Sequence, residues 1–315
     1  MSFKKVILHI GPHKTGTSSI QKMLFDNRKS LEKKNILYPN FANKEGWGHH
    51  LIHKELKQGN LDDKFFSNLS SRNHNTHTLL LSSENFVRCS SDELETLSSL
   101  LDCSDIKVIM FLRIPSRRLI SLWKETIKHR SNIPISTFLL QHISRPKLSE
   151  VLNPYITYEK FKLTFSNIKV INYENCINNN KNIHDIFLQE LGIKDHEFKY
   201  PKIINKSSPI SISESYRIYN CYADNKYEVN INGFLKKYSL SVKFKKLLKD
   251  LSKVSTKKPF FRTISSKEYE RFIEDREINF DIRPNIKEIN FGNSQIEYIE
   301  DSTPLIKEFL SLFKK

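Results

Sequence analysis

One segment near the start of the chain, His9-Ile10-Gly11-Pro12-His13-Lys14-Thr15-Gly16-Thr17-Ser18-Ser19, has the composition of a phosphate cradle. Gly11 and Gly16 permit a tight turn and close backbone approach. Lys14 adds a point charge, and Thr15, Thr17, Ser18 and Ser19 add hydroxyl donors. The segment lies between a β-rich run, Val6 to Ile10, and a helical pattern that puts Ile20, Met23, Leu24 and Leu31 on one face. A loop so placed delivers backbone N–H groups and the positive end of a helix to an anion. It is not the GxxxxGK[ST] loop of nucleotide triphosphatases. That pattern puts lysine after the second glycine, whereas here Lys14 precedes Gly16 and Thr17 takes that place.

A second anion locus follows the apolar run Val108 to Leu112. Arg113 ends the run, Pro115 opens the next helix, and Ser121 lies further along it. Arg113 and Ser121 can converge on one anion at the carboxyl end of a strand, where open α/β sheets bind ligands. Arg117 and Arg118 are expected to face solvent or make secondary anion contacts. Trp123 is expected in the core, with packing near an adenine as the other role open to it.

The order Lys14-Thr15-Gly16-Thr17-Ser18 resembles the 5′-phosphosulfate loop of the sulfotransferases that use 3′-phosphoadenosine 5′-phosphosulfate (PAPS). Arg113 with Ser121 resembles the 3′-phosphate motif of the same family, in which an aromatic two residues after the serine is often Tyr; here it is Trp123. The resemblance covers residues 5–25 and 75–130 well and is loose elsewhere. It implies a P-loop-like sulfotransferase fold, PAPS as co-substrate, no metal requirement, and transfer of a sulfuryl group to a hydroxyl or amine.

Such a transfer needs a general base for the acceptor proton, fixed donors for developing charge, and in-line placement. Lys14 and the loop amides suit the leaving group. Glu84, in Leu81-Ser82-Ser83-Glu84-Asn85-Phe86, follows an apolar run and should share a rim with the phosphate loop. The resemblance supports it, because the glycan-modifying branch places a glutamate at a comparable position. The other candidates are His49 and His50, in Gly46-Trp47-Gly48-His49-His50, where the glycines suggest a mobile loop closing over the acceptor. Glu84 is the expected base, with His50 as acceptor-binding residue or second-choice base. Tyr173 and Glu174 could line the cleft, and Asn205-Lys206-Ser207-Ser208 could close over the nucleotide.

The elements that would position these groups alternate. Strands are expected at 6–10, 79–83, 107–112 and 168–173. Helices are expected from Thr17, after a capping box of Ser90 and Glu93, from Ser116 to His129, and near Asn182 to Leu191. Continuous apolar strands alternating with helices imply a parallel sheet covered on both faces, an α/β fold. Residues 1–200 are expected to form this core. Residues 201–315 are expected to form a mostly helical extension of the same domain, with helices at Ser211 to Tyr222, Gly233 to Leu251 and Ser302 to Phe313.

The bulk numbers are those of a globular protein: 315 residues, 38% hydrophobic and 27% charged. No apolar run approaches the length of a membrane span, and the start of the chain lacks a signal-peptide pattern, so a soluble cytoplasmic protein is expected. The four cysteines, Cys89, Cys103, Cys176 and Cys221, show no CxxC spacing and no zinc-type Cys/His clustering. Free thiols are the expectation, and no metal site is read from the sequence.

Net charge is +16, with 51 Lys and Arg against 35 Asp and Glu, which predicts an anionic partner. A nucleotide donor with a glycan or small-metabolite acceptor fits, and an acidic glycan fits best. Two rivals stay open. A P-loop-like phosphoryl transferase shares the strand–loop–helix unit, but Lys14 is misplaced for it and no strand end offers the Asp that such enzymes use for Mg²⁺. A nucleic-acid-binding protein would use the late lysine-rich runs but has no recognisable binding signature.

Overall fold

The computed structural model describes residues 3–41, 46–71, 76–113, 115–145, 148–173, 176, 181–193, 198–201, 213, 216, 217 and 220. The chain divides into two compact units. The described residues of the first lie within Met1–Arg118 and Asn153–Asn205; those of the second lie within Leu119–Leu152 and after Lys206.

The first unit holds a five-stranded parallel sheet of order β2-β3-β1-β4-β5. Its strands are β1 (Lys5–Gly11), β2 (Ile36–Leu37), β3 (Thr78–Ser82), β4 (Ile106–Leu112) and β5 (Asn167–Asn172). Every pairing is parallel. All strands therefore point their carboxyl ends at one edge, and that edge carries Gly11, Ser82, Leu112 and Asn172. The four longer strands match the sequence expectation. The short β2 was not foreseen.

β1, β3 and β4 are buried on both faces, which is why they read as unbroken apolar runs. One face carries Ile7, Leu80, Ile109, Phe111 and Ile171 and packs against α1 (Thr17–Asp26) and the helix Ile183–Glu190, through Ile20, Met23, Leu24, Phe187 and Leu188. The expected helix from Thr17 does not run on to Leu31. Asn27 ends it, because its side chain turns back to donate to the carbonyls of Met23 and Lys199, and α2 (Arg28–Glu32) restarts the coil. Leu31 is buried from that second helix.

After β2 come α3 (His50–Lys57) and α4 (Asp63–Ser71), neither expected. A 3₁₀ turn (Glu84–Arg88) follows β3 and leads into α5 (Ser91–Leu101). α5 carries the expected capping box: Ser90 Oγ accepts from Glu93 N–H, and Glu93 Oε2 accepts from Ser90 N–H. Such a cap stabilises by about 1 kcal/mol. β4 is followed by α6 (Pro115–Lys128), α7 (Ile135–Ile143), α8 (Tyr155–Thr164) and, after β5, α9 (Ile183–Glu190). Lys107 Nζ, on β4, lies 2.7 Å from Glu190 Oε2 and so ties the end of α9 to the sheet.

In the second unit, Leu119, Trp123, Ile127, Phe138, Leu139 and Tyr216 form a separate core. Trp123 is fully buried there and its Nε1–H donates to Ile133 O at 3.0 Å, the core role expected for it. Asn220 Nδ2 donates to Ile127 O and Ser131 O and so caps the end of α6. The helices expected at 233–251 and 302–313, the stretch 253–300, Glu174, Asn205-Lys206-Ser207-Ser208 and Cys221 lie outside the described residues.

Candidate active site

The phosphate loop joins β1 to α1 at the carboxyl edge of the sheet. Gly11 (φ +85) and Gly16 (φ +82) both occupy the left-handed region that favours glycine. Lys14 is also left-handed, at φ 71, a conformation that costs energy for a side chain with a Cβ. Arg113 holds it there: Nη1–H donates to Lys14 O at 2.8 Å. The two anion loci expected from the sequence are thus in contact. The Arg113 guanidinium also lies 5.3 Å from the centre of the Tyr173 ring. Tyr173 in turn closes on the loop, since a Cβ at Gly16 would lie 3.3 Å from its Cε2.

The loop hydroxyls divide in role. Thr15 Oγ1 and Thr17 Oγ1 donate to Pro12 O at 2.6 and 3.2 Å and so shape the turn. Ser19 Oγ shares a hydrogen bond of 2.9 Å with His184 Nε2. Ser18 is half-buried on the first turn of α1. No side chain caps the start of α1 at Gly16, so the positive end of a ten-residue helix faces the loop. Ser121 is half-buried on α6, Arg117 is exposed, and Arg118 is buried rather than solvent-facing, at 7% exposure.

Glu84 sits immediately above this loop. A Cβ at Gly11 would lie only 3.0 Å from Glu84 Cβ. The end of β3 is fastened so that the carboxylate stays there. Ser83 N–H donates to His9 O, Ser82 Oγ shares a 2.8 Å hydrogen bond with His9 Nδ1, and Ser82 N–H donates to His49 Nδ1. Glu84 Oε2 accepts from Gln21 Nε2–H at 2.8 Å. Two imidazoles flank it: His13 Nδ1 lies 3.8 Å from Oε1 and His50 Nε2 lies 3.8 Å from Oε2. At that distance neither ring makes a hydrogen bond to the carboxylate.

His50 lies at the start of a helix, not in the loop that holds Gly46 and Gly48. It opens α3, and its neighbour His49 is the anchor: buried to 2% exposure, with Nε2 bonded to Pro39 O at 2.9 Å and Nδ1 accepting from Ser82. These bonds tie the segment after Gly48 to β3 and to Pro39. His50 Nδ1 bonds to Ser83 Oγ at 2.8 Å, and that hydroxyl already accepts from Asn85 N–H.

Desolvation pulls the Glu84 carboxyl up, but the His50 charge, its own backbone N–H, Gln21 and His13 together outweigh it, and its pKa is lowered. Glu84 is thus ionised at neutral pH. Burial pushes His13 down to about 4, against the pull of Glu84 and with help from Arg88, Arg118 and Lys14, so its ring is neutral. His13 Nε2 is sealed from solvent and has no hydrogen-bond partner among the described residues, an unmet need beside the carboxylate.

Lys14, Thr15, Gly16, Thr17, Ser18 and Arg113 thus meet on one edge, and Glu84 and His50 meet beside them. His13 and Gln21 also lie against Glu84 and were not assigned from sequence. His13 could have been found as a titratable group inside the loop, and Gln21 as the residue one helical turn after Thr17.

No family model and no curated protein matches the sequence. Among solved structures, the chain is similar to a sulfotransferase from Alicyclobacillus acidocaldarius, at 14% identity over 68% of this chain and 92% of that one, with a TM-score of 0.38. It is also similar to the sulfotransferase domain of the Synechococcus PCC 7002 olefin synthase, at 11% identity over 76% and 96%, with a TM-score of 0.37. A likeness this distant leaves the chemistry to be read from the residues. Among the described residues no helix is long and apolar enough to cross a membrane.

Proposed function

We propose that the chain is a sulfotransferase that takes PAPS as donor and a hydroxyl or amine as acceptor, with an acidic glycan the acceptor class its positive charge favours. The donor's 5′-phosphosulfate would rest on Lys14, Thr15, Gly16, Thr17 and Ser18 at the start of α1. Arg113 and Ser121 would take the 3′-phosphate. Glu84 would accept the acceptor's proton as the acceptor oxygen or nitrogen bonds to sulfur. The bond from sulfur to the phosphate oxygen breaks, and Lys14 with the helix end stabilises the charge left on 3′,5′-ADP. Glu84 then returns the proton to solvent.

The observation that carries this reading is the placement of an ionised, hydrogen-bonded carboxylate directly over Gly11 of the phosphate loop. A base there is within reach of a nucleophile aligned on the loop. His50 and His13, which flank the carboxylate, would orient the acceptor.

The test is an acceptor screen with donor labelled in the sulfuryl group, spanning acidic glycans, neutral sugars, phenols and amines. Label transfer with stoichiometric release of 3′,5′-ADP is the expected result. Phosphoryl transfer from Mg-ATP in place of sulfuryl transfer would overturn the reading.

A further inference from the structure

His53 is distant in sequence from Cys89 and Glu93, and none of the three plays a part in the site above. The fold brings them together: one ligand atom from each, an imidazole nitrogen, the Cys89 sulfur and a carboxylate oxygen, all lie within 4.8 Å of one another. We propose that these three side chains bind a divalent transition-metal ion of zinc type, with the fourth position open to water.

The donor set of nitrogen, sulfur and carboxylate oxygen suits such an ion and does not suit Mg²⁺ or Ca²⁺, which take oxygen ligands. A tetrahedral zinc with bonds of about 2.0–2.3 Å keeps its ligands roughly 3.3–3.8 Å apart, so the set has only to close by about 1 Å. Each ligand is already supported. Glu93 is fixed by the capping box through Oε2, and a carboxylate has a second oxygen to offer. Cys89 N–H donates to Phe86 O. His53 stands on α3 between the buried anchors Ile52 and Leu56. The Glu93 contact is of the outer kind that orients metal ligands, and the other two supports fix the backbone that carries Cys89 and His53.

Binding breaks the Cys89 S–H bond, forms the sulfur–metal bond and releases the proton to solvent. The thiolate and the Glu93 carboxylate then balance the dication. That balance is needed, because Arg88 and Lys57 are near enough to act on His53, and Lys160 on Cys89.

The consequence is a clamp. His53 lies one helical turn after His50 on α3, and Cys89 directly follows the 3₁₀ turn that begins with Glu84. A metal here ties together the two segments that carry the His50–Glu84 pair without touching either side chain.

The experiment is a Co²⁺ titration of the full-length chain after chelator treatment, read by the thiolate-to-cobalt absorption band and by the thermal midpoint. Wild type should give the band at one equivalent, lose it on adding zinc, and gain thermal stability with zinc. Cys89→Ser should abolish the band, Cys103→Ser should keep it, and His53→Gln should weaken cobalt binding at least tenfold. His53 is half-exposed, so that variant serves even if Cys89→Ser does not fold. No band in wild type, a band that survives Cys89→Ser, or unchanged affinity in His53→Gln would overturn the proposal. Binding of 3′,5′-ADP to the metal-free chain is a separate readout, unaffected by any of these outcomes.

Discussion

Glu84 and Gly11 are packed backbone to side chain: a Cβ added at position 11 would meet Glu84 Cβ at 3.0 Å and Glu84 Cα at 3.2 Å. The base candidate and the phosphate loop are therefore one mechanical unit, and a methyl group is enough to pry them apart. Gly11 also needs its positive φ, which a side chain resists.

Gly11→Ala should cost about 1–3 kcal/mol of stability from strain at the turn. It should also lower turnover, because Glu84 must give by a few tenths of an ångström to admit the methyl group, and reaction rates are sensitive to the placement of a reacting group. Denaturant unfolding and turnover at saturating donor check the two parts. Full activity in a folded Gly11→Ala chain would show that the 84–11 contact does not position the base.

Glu84→Gln keeps the shape of the side chain and can still accept from Gln21, but it removes the basicity. Turnover should fall by about 10²–10⁴-fold while 3′,5′-ADP affinity holds. His50→Ala should cost less, since its ring acts on the carboxylate from 3.8 Å. Near-normal turnover in Glu84→Gln with loss in His50→Ala would exchange the two roles.

Arg113 both supports the Lys14 turn and is the proposed 3′-phosphate ligand. Arg113→Ala should weaken 3′,5′-ADP more than 5′-AMP, shrinking the ratio of their affinities, as measured by calorimetry. A purely structural arginine would weaken both equally. Lys14→Ala should lower turnover more than donor affinity, because charge develops on the leaving group only as the bond breaks.

Much of this arrangement was legible in the sequence. β1, β3, β4 and β5 announced themselves as unbroken apolar runs because a parallel sheet buries both faces. Parallel strands then forced Lys14, Glu84 and Arg113 onto one edge. What escaped was set by tertiary contacts. β2 is two residues long, too short for any period. Asn27 splits a helix whose apolar pattern continues through Leu31, because its amide bonds to Lys199 across the fold. His50 read as a loop residue after Gly46 and Gly48 because the bonds that seat His49 on Ser82 and Pro39 have no local signature. The His53–Cys89–Glu93 cluster is visible only once α3 and the start of α5 are adjacent.

Acid should unfold this protein early. Burial lowers His9, His13 and His49 from 6.5 to about 4, and His53 and His184 shift the same way. Between about pH 6.5 and 4 the unfolded chain binds protons that the folded chain refuses, so stability rises with pH across that window and is lost as pH falls through it. Each fully buried ring contributes on the order of 3 kcal/mol to that loss. The lowered Glu84 pKa acts in the same direction at lower pH. His49 makes the cause explicit: protonating Nδ1 would eject the Ser82 N–H it accepts. Unfolding free energy measured from pH 7 to 4 should show the slope, and a chain equally stable at both ends would contradict it.

The most direct measurement is thermal stability titrated with three ligands: 3′,5′-ADP without Mg²⁺, ATP with Mg²⁺, and a random oligonucleotide. A ligand that binds only the folded chain stabilises it by about 2.7 kcal/mol at a hundredfold excess over Kd. The predicted result is saturable stabilisation by 3′,5′-ADP in the absence of Mg²⁺, lost in Arg113→Ala, with little effect of the other two. A chain that ignores 3′,5′-ADP and responds to Mg-ATP or to the oligonucleotide would contradict the assignment of this site to a phosphosulfate donor.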